Sequence, residues 1–271
     1  MTEPKQASTV VLLRDGDPGL EVYLLRRTKG MPFAGGMTAY PGGGVDARDA
    51  DLEIGWVGPT PAEWAAAFGC DATIARELVC AAVRETFEEA GVLLAGDPDG
   101  GAGAGGGVGG VVPSVSGDDW EEQRQALLSR ELSLTELLAG RGLALRSDLL
   151  RPFAHWITPP VEPRRYDTKF FVAALPVGQE ARDVSGEADE ANWLTPTAAL
   201  AEMRAGMRPM LPPTIHTLSQ LEPFPDVAAA LAGSPPEPLH PIIPTFTEEA
   251  DGRWAVLPDG TRIRMVVPLP S

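Results

Sequence analysis

The chain has 271 residues, of which 44% are hydrophobic and 22% charged, enough for one large globular domain or two small ones. Its 38 acidic and 22 basic side chains give a formal net charge of −16, which disfavours nucleic acid as a partner. The N-terminal residues do not look like a secretory signal, no apolar run approaches the ~20 residues that span a bilayer, and Cys70 and Cys80 lack metal-site spacing. We therefore expect a cytoplasmic protein without nucleic-acid or membrane partners. The many Ala, Gly and Pro residues are typical of a GC-rich bacterial genome.

The N-terminal part of the chain predicts a β-hairpin followed by a glycine turn. Two β-rich runs, "STVVLLR" (residues 8–14) and "LEVYLLRR" (residues 20–27), flank the turn signal "DGDPG". The stretch "AYPGGGVD" (residues 39–46) then contains three consecutive glycines. Glycines in series predict a tight turn that lets the backbone approach a ligand or another element closely.

Two helices are predicted after this turn. In "TPAEWAAAF", Thr60 is a good N-cap, proline stands at the first helical position, and Glu63 completes a capping box. A longer helix is expected to begin after Asp71, a favourable N-cap, and to end at Gly91, the usual residue of a left-handed C-terminal cap.

The stretch "AGDPDGGAGAGGGVGG" (residues 95–110) is of low complexity. It lacks the lysine of a P-loop and the strand–helix context of a dinucleotide-binding turn. We therefore interpret the region of about residues 95–117 as a flexible glycine-rich loop.

The second half of the chain predicts alternating helices and strands. Helices are expected at residues 118–128 and 134–138 and after Thr195, and strands at residues 149–158 and 169–175 and near Trp193. From about Met207 the sequence is proline-rich, with one short helix and several β-like pieces. We expect this tail to pack on the same domain.

The predicted helix ending at Gly91 carries an acidic cluster. At about 100° per residue, Glu85, Glu88 and Glu89 share an arc of about 100°, and Val83 and Phe87 lie on the opposite, apolar face. Two interpretations stay open on this geometry: a solvated helix face, or a site for a hard divalent cation, which prefers carboxylate oxygens.

The residues around the cluster carry a family resemblance. "RETFEEAGV" (residues 84–92) resembles the end of the Nudix hydrolase signature, and "YPGGGVDARD" (residues 40–49) resembles its aromatic-Pro-Gly-Gly opening. Starting from Gly43, the signature's other glutamate corresponds to Asp49, with about 27 residues inserted before Arg84. A signature split in this way resembles the peroxisomal coenzyme A diphosphatase-like branch of the family.

The resemblance implies an α/β fold, the Nudix α/β/α sandwich with a mixed central sheet. It implies a Nudix domain over residues 1–206, with the insertion at about residues 50–70, and a C-terminal extension over residues 207–271 packed on the same domain. The implied activity is Mg²⁺- or Mn²⁺-dependent hydrolysis of the pyrophosphate bond of a small-molecule nucleoside diphosphate derivative. A homodimer is left open.

The resemblance also assigns roles to individual residues. The expected metal ligands are Glu85, Glu88 and Glu89, with Arg84 holding them by charge-assisted hydrogen bonds, and Glu187 and Glu190 are candidates for a further ligand or base. The expected substrate-binding residues are Arg27, Gly42, Gly43, Gly44, Arg165 and Tyr166. His155 is expected to be a core or edge residue rather than a general base.

The sequence defines the substrate less narrowly than it defines the family and the acidic cluster. The upstream coenzyme A signature is partly present, with Pro32 where an arginine and Met37 where a glutamate are expected. The leading hypothesis is coenzyme A or an acyl derivative, cleaved to a phosphopantetheine species and adenosine 3′,5′-bisphosphate. The alternatives are ADP-ribose, a dinucleotide or another nucleoside diphosphate derivative, and a non-catalytic ligand-sensing module.

Overall fold

The structure is a computed structural model that describes residues 3–30, 34–100, 108–183, 188–233, 235, 238–250 and 252–265. The strands are β1 (Lys5–Asp15), β2 (Leu20–Arg27), β3 (Thr38–Ala39), β4 (Gly42–Gly44), β5 (Trp56–Val57), β6 (Ala95–Gly96), β7 (Ala144–Arg146), β8 (Leu150–Ile157), β9 (Tyr166–Ala174), β10 (Ala188–Leu194), β11 (Thr245–Glu249), β12 (Gly252–Val256) and β13 (Arg262–Arg264). The α-helices are α1 (Pro61–Phe68), α2 (Ala72–Ala90), α3 (Asp118–Leu128), α4 (Leu134–Gly140), α5 (Pro196–Arg204), α6 (Pro212–Leu221) and α7 (Val227–Ala232).

The central sheet has the strand order β10-β2-β1-β9-β8. The predicted hairpin forms, with β1 and β2 antiparallel, whereas β1 and β9 are parallel along their whole contact. Two short strands extend the sheet at one end, β3 beside β2 and β4 beside β1. The sheet is therefore mixed, as predicted.

Helices cover both faces of this sheet. Alternate side chains of β1 enter different cores: Val10 and Leu12 pack with α1 and α2, and Val11 and Leu13 pack with α5, α6 and α7. A strand buried on both faces needs apolar residues at every position, which explains the unbroken run "VVLL". The two helical layers around one sheet confirm the predicted α/β/α arrangement. We call the face covered by α1 and α2 the helix face, and the face covered by α5 to α7 the tail face.

The two predicted helices of the N-terminal half form as expected. Thr60 and Glu63 make the reciprocal capping box of α1, and α2 ends where Gly91 adopts the left-handed conformation at φ 64°. Asp71 has the extended backbone of an N-cap, but its side chain makes no capping hydrogen bond to α2.

The predicted insertion contributes to the core through α1. Trp64 and Phe68 are buried, and both rings contact Phe171 of β9 edge-on, with centroids 5.4 and 5.1 Å away. This segment therefore covers the sheet beside α2.

Several local predictions differ from the structure. The three glycines predicted as a tight turn form the extended strand β4, which pairs with β1. Ala95–Gly96 lies in a strand rather than a flexible loop, because Gly96 packs against Gly110, where a Cβ atom would lie 2.2 Å from the carbonyl oxygen. The tail contains two helices, α6 and α7, rather than one, since Pro212 favours the first helical turn and Asp226 caps α7. Strand β9 begins three residues earlier than predicted, at Tyr166. The rest of the predicted glycine loop includes residues 101–107, which lie outside the described residues.

Among the described residues, no helix combines the length and the apolar character that crossing a membrane requires.

Candidate active site

The acidic cluster lies on the C-terminal half of α2, next to β4. The opposite side of this helix is buried through Val83 and Phe87, as its periodicity predicts. Glu85, Glu88 and Glu89 therefore point away from the core, but they meet the glycine strand rather than open water. Their side chains are only 12%, 8% and 10% exposed.

Arg84 organises the cluster from within. Its Nε and Nη2 donate to the two carboxylate oxygens of Asp49, both at 2.9 Å. Its Nη1 donates to Glu85 Oε1 at 2.7 Å and to Glu88 Oε2 at 3.1 Å, and Nη2 also reaches the Gly44 carbonyl oxygen at 3.0 Å. One buried guanidinium thus joins the two separated halves of the sequence motif by charge-assisted hydrogen bonds.

The glycine strand approaches the carboxylates closely. The Gly42 amide donates to Glu89 Oε2 at 2.8 Å. A Cβ atom on Gly43 would lie 2.5 Å from Glu85 Oε1, so only glycine leaves that carboxylate in its present position.

The local charge is suited to a divalent cation. Three carboxylates, those of Asp49, Glu85 and Glu88, contact Arg84, and the fourth, that of Glu89, lies 3.6 Å from Arg27. Burial raises the pKa of Glu88 to about 7 although Arg84 opposes the shift, and the Glu85 and Asp49 carboxylates raise it further. Glu88 Oε1 is buried and has no hydrogen-bond partner among the residues that the structure describes.

These observations fit a cation that prefers oxygen ligands. Such an ion would neutralise the excess negative charge and would give the Glu88 Oε1 atom a partner. In the described part of the chain, no group of three or more His, Cys, Asp or Glu side chains is arranged so that it could hold a metal ion without moving. The carboxylates are bound to Arg84 and Gly42 in the present arrangement.

The other predicted ligands are not brought to this cluster. Glu187 lies outside the described residues. Glu190 does not lie with the cluster, since it pairs with Arg26 on the tail face and accepts from Arg208 at 3.0 Å. The neighbouring Arg27 faces the helix side instead. Because side chains alternate along a strand, Glu190 lies across the sheet from the three glutamates.

The predicted substrate residues Arg165 and Tyr166 lie on the opposite edge of β1 from β4. Tyr166 pairs with Lys5 of β1, and Arg165 Nε donates to the Thr158 carbonyl oxygen at 3.0 Å. Strands β4 and β9, which lie on either side of β1, are about two strand spacings apart, roughly 10 Å. These residues can therefore contact only a substrate that extends across the end of the sheet.

A buried polar cluster stands near this second edge. Lys169 Nζ lies 2.6 Å from Asp167 Oδ1 and 2.8 Å from His155 Nε2, and His155 Nε2 lies 2.7 Å from Asp167 Oδ1. Burial opposes ionisation of Asp167, but the hydrogen bonds from His155 and Lys169 lower its pKa to about 2. His155 is thus a buried residue near the sheet edge, as predicted, and Asp167 binds these two partners.

Comparison with known proteins identifies the family and supports the fold. A family model described as the NUDT19 Nudix domain matches residues 71–221, more than half of the chain. The chain belongs to the Nudix hydrolase family. Its membership agrees with the resemblance carried by residues 84–92. Asp49, which lies outside the matched residues, binds Arg84 bidentately.

Individual Nudix proteins are similar over most of this chain. A crystal structure of a NUDIX hydrolase from Alicyclobacillus acidocaldarius is 30% identical, with a TM-score of 0.73, and covers 86% of this chain and 98% of its own. The acyl-coenzyme A diphosphatase NUDT19 of Xenopus laevis is 24% identical over 275 residues, 86% of this chain and 66% of its own. A relative from Caenorhabditis elegans is 27% identical over 205 residues, 76% of this chain and 57% of its own. The chain therefore spans less than two thirds of the length of the Xenopus and Caenorhabditis relatives.

Proposed function

We propose that the chain is a divalent-metal-dependent diphosphohydrolase whose substrate is coenzyme A or an acyl-coenzyme A. The products are a phosphopantetheine species and adenosine 3′,5′-bisphosphate. The similarity to an acyl-coenzyme A diphosphatase supports the substrate class, and membership of the Nudix family, which generally uses divalent metal ions, supports the chemistry.

One observation carries the proposal. On one side of α2, Glu85 and Glu88 bind Arg84 and Glu89 accepts from the Gly42 amide, in a buried arrangement with excess negative charge. The carboxylates of a solvated helix face would be exposed to water, whereas these are only 8–12% exposed. Burying a charge is costly unless a partner compensates it. The cost of burying like charges is offset when a dication binds between them.

The reaction needs charge neutralisation more than covalent help from the protein. Water attacks one phosphorus, the bridging P–O bond breaks, and the bridging oxygen leaves with the other phosphate, so one water is consumed. A bound Mg²⁺ or Mn²⁺ supplies neutralisation of the diphosphate oxygens and polarises phosphorus.

The protein's own groups hold the ion and the substrate. Glu85, Glu88 and Glu89 would hold the cation, and Arg84 keeps the first two carboxylates in position. Burial raises the pKa of Glu88 to about 7 without a cation, and a bound dication would favour the ionised carboxylate instead. The backbone of Gly42–Gly44 offers close approach to the diphosphate.

Substrate recognition is proposed at both edges of β1. Arg27, beside Glu89, would bind a diphosphate oxygen. Arg165 and Tyr166 would contact the far end of an extended substrate, by a charged hydrogen bond and by stacking. A substrate as long as coenzyme A can span the roughly 10 Å that separates β4 from β9.

The test is turnover of a defined substrate panel. Purified protein with Mg²⁺ or Mn²⁺ is incubated with coenzyme A, short- and long-chain acyl-coenzyme A, ADP-ribose and a dinucleoside polyphosphate, and the products are separated by mass. The Glu85→Gln/Glu89→Gln double variant is the control. Cleavage of coenzyme A species to adenosine 3′,5′-bisphosphate by the wild type alone supports the proposal.

Two other outcomes overturn it at different levels. Cleavage of ADP-ribose or the dinucleotide without cleavage of any coenzyme A species refutes the substrate but keeps the enzyme class. Ligand binding without turnover, unaffected by the double substitution, favours the ligand-sensing module.

A further inference from the structure

The glycine strand β4 is the last part of a longer segment that is held from both faces of the sheet. We call residues 38–44 the glycine segment. It begins in β3 beside β2, crosses over at Tyr40 and Pro41, and ends in β4 beside β1. On the helix face, the Gly42 amide donates to Glu89 and the Gly44 carbonyl accepts from Arg84.

On the tail face, the segment is bonded to α6. Tyr40 is 2% exposed, and its hydroxyl lies 3.0 Å from Oγ1 of the fully buried Thr217. Thr217 Oγ1 also lies 2.8 Å from the Pro213 carbonyl oxygen and 3.1 Å from the Thr214 carbonyl oxygen, and it must donate its single proton to one of them. The Tyr40 hydroxyl is therefore the donor to Thr217, in a chain of hydrogen bonds whose members polarise one another.

A second attachment lies two residues before Tyr40. The Thr38 amide donates to the Pro209 carbonyl oxygen at 2.7 Å, and Thr38 forms a parallel β-bridge with Met210. Pro209 and Met210 immediately precede α6, which begins at Pro212. The helix and its lead-in thus fix both the start of the glycine segment and its crossing point.

We propose that α6 is a positioning clamp for the glycine segment, so that Tyr40 and Thr217 are positioning residues for the chemistry at Glu89. This inference rests on the proposed function. The backbone of Gly42 is two residues from the clamp and donates directly to a proposed metal ligand. Any shift of Tyr40 therefore moves the partner of that carboxylate, and the tail is part of the active-site framework.

The hydrogen bonding of Tyr40 and Thr217 predicts that a double variant is less perturbed than one of the single variants. Thr217→Val leaves the Tyr40 hydroxyl buried without an acceptor, whereas Tyr40→Phe leaves Thr217 still bonded to α6. Losing one partner of a buried hydrogen bond costs more than replacing both by apolar groups. The Tyr40→Phe/Thr217→Val double variant should consequently be closer to wild type than Thr217→Val alone.

Two measurements that need no turnover test the clamp. The first is amide hydrogen exchange of the peptide covering residues 38–44 in the metal-free protein, and the second is the dissociation constant for Mn²⁺ alone. In Thr217→Val we expect exchange of this peptide to be faster and Mn²⁺ binding to be weaker by about five-fold, the factor that corresponds to about 1 kcal/mol for one hydrogen bond.

The controls separate a clamp from a general loss of structure. Thr217→Ser keeps the hydroxyl that accepts from Tyr40, so its exchange rate and its Mn²⁺ dissociation constant should match those of the wild type. Ser219→Ala removes a hydroxyl from the same helix that bonds only within α6, to Ile215, and should change neither value. A lower melting temperature in Thr217→Val with wild-type exchange and wild-type Mn²⁺ binding makes the contact merely structural and overturns the proposal. Absence of turnover by the wild type refutes the proposed function instead, while the exchange data still decide the clamp.

Discussion

The contact between Gly43 and Glu85 allows activity to be separated from stability. In Gly43→Ala the new Cβ atom would lie 2.5 Å from Glu85 Oε1 and 2.6 Å from Cδ. These atoms form the end of a flexible side chain, so the carboxylate can move away while the backbone stays in place. To reach ordinary contact it must shift by about 1 Å.

A shift of this size should affect the reaction far more than folding. A 1 Å misplacement in an active site costs about 100-fold in rate, which corresponds to about 2.7 kcal/mol of transition-state stabilisation. The free energy of unfolding should change by less than about 1 kcal/mol, because the Glu85 side chain is displaced and no backbone contact is lost.

Gly42→Ala is the matched control for this substitution. Its Cβ atom would meet backbone atoms of the adjacent strand, the Ser8 carbonyl oxygen at 2.5 Å and Thr9 Cα at 2.7 Å. Overpacking against backbone costs about 1–3 kcal/mol, or about 2–12 °C in melting temperature for a chain of this size.

Both variants are measured by thermal unfolding and by kcat/KM on the best substrate of the panel. The expected result is a nearly unchanged melting temperature with about 100-fold lower activity for Gly43→Ala, and a lowered melting temperature for Gly42→Ala. Wild-type activity in Gly43→Ala, or an equal loss of stability in both variants, refutes the close approach as the reason for glycine at position 43.

Three other substitutions test the electrostatics. Arg84→Lys loses the bidentate contact with Asp49, so we expect about 100-fold lower kcat/KM and a lower melting temperature; unchanged values contradict the central role of the guanidinium. Glu88 has a folded-state pKa of about 7 against a usual 4.5, so metal-free protein should lose stability as the pH rises from about 4.5 through 7, and urea titrations at several pH values should show Glu88→Gln without that slope. Asp167, with a pKa of about 2 against a usual 3.8, stabilises the fold above pH 3.8 and loses this effect as the pH falls toward 2. Asp167→Asn should therefore be less stable than wild type at pH 7 but not at pH 2, and an equal deficit at both pH values excludes the ionised carboxylate as the cause.

Features that depend on nearby residues could be predicted from the sequence. The limits of α2, its apolar face and its left-handed cap at Gly91 follow from residues within a few turns of one another. The capping box of α1 is equally local. The grouping of Glu85, Glu88 and Glu89 on one side needs only the helical period.

Features that depend on strand register could not be predicted in the same way. Glu190 is separated from Ala188 by an irregularity in the pairing of β10 with β2. One residue of slippage moves a side chain to the other face of a sheet. The sequence around Trp193 contains no signal for that irregularity, so the face of Glu190 is known only from the structure.

Contacts between distant parts of the chain were also beyond local reasoning. Tyr40 and Thr217 are 177 residues apart, and Lys169 meets His155 across two paired strands. From the sequence alone, Lys169 is predicted to be an ordinary strand residue near the end of a charged run. Its burial is evident only when β8 and β9 pair, because a buried lysine needs the partners that this pairing supplies.

The carboxylate of Asp49 stabilises two parts of the site at once. Its Oδ2 atom accepts from the Asp46 amide, which closes the short helical turn Ala47–Ala50, and the same carboxylate binds Arg84 bidentately. Helix α1 lies in the connection between Asp49 and Arg84 and covers the sheet. Since the entropic cost of a longer connection grows only slowly with its length, the buried pair can close this connection at little cost. The geometry around Arg84 is therefore set by the pair and not by the number of residues between its members.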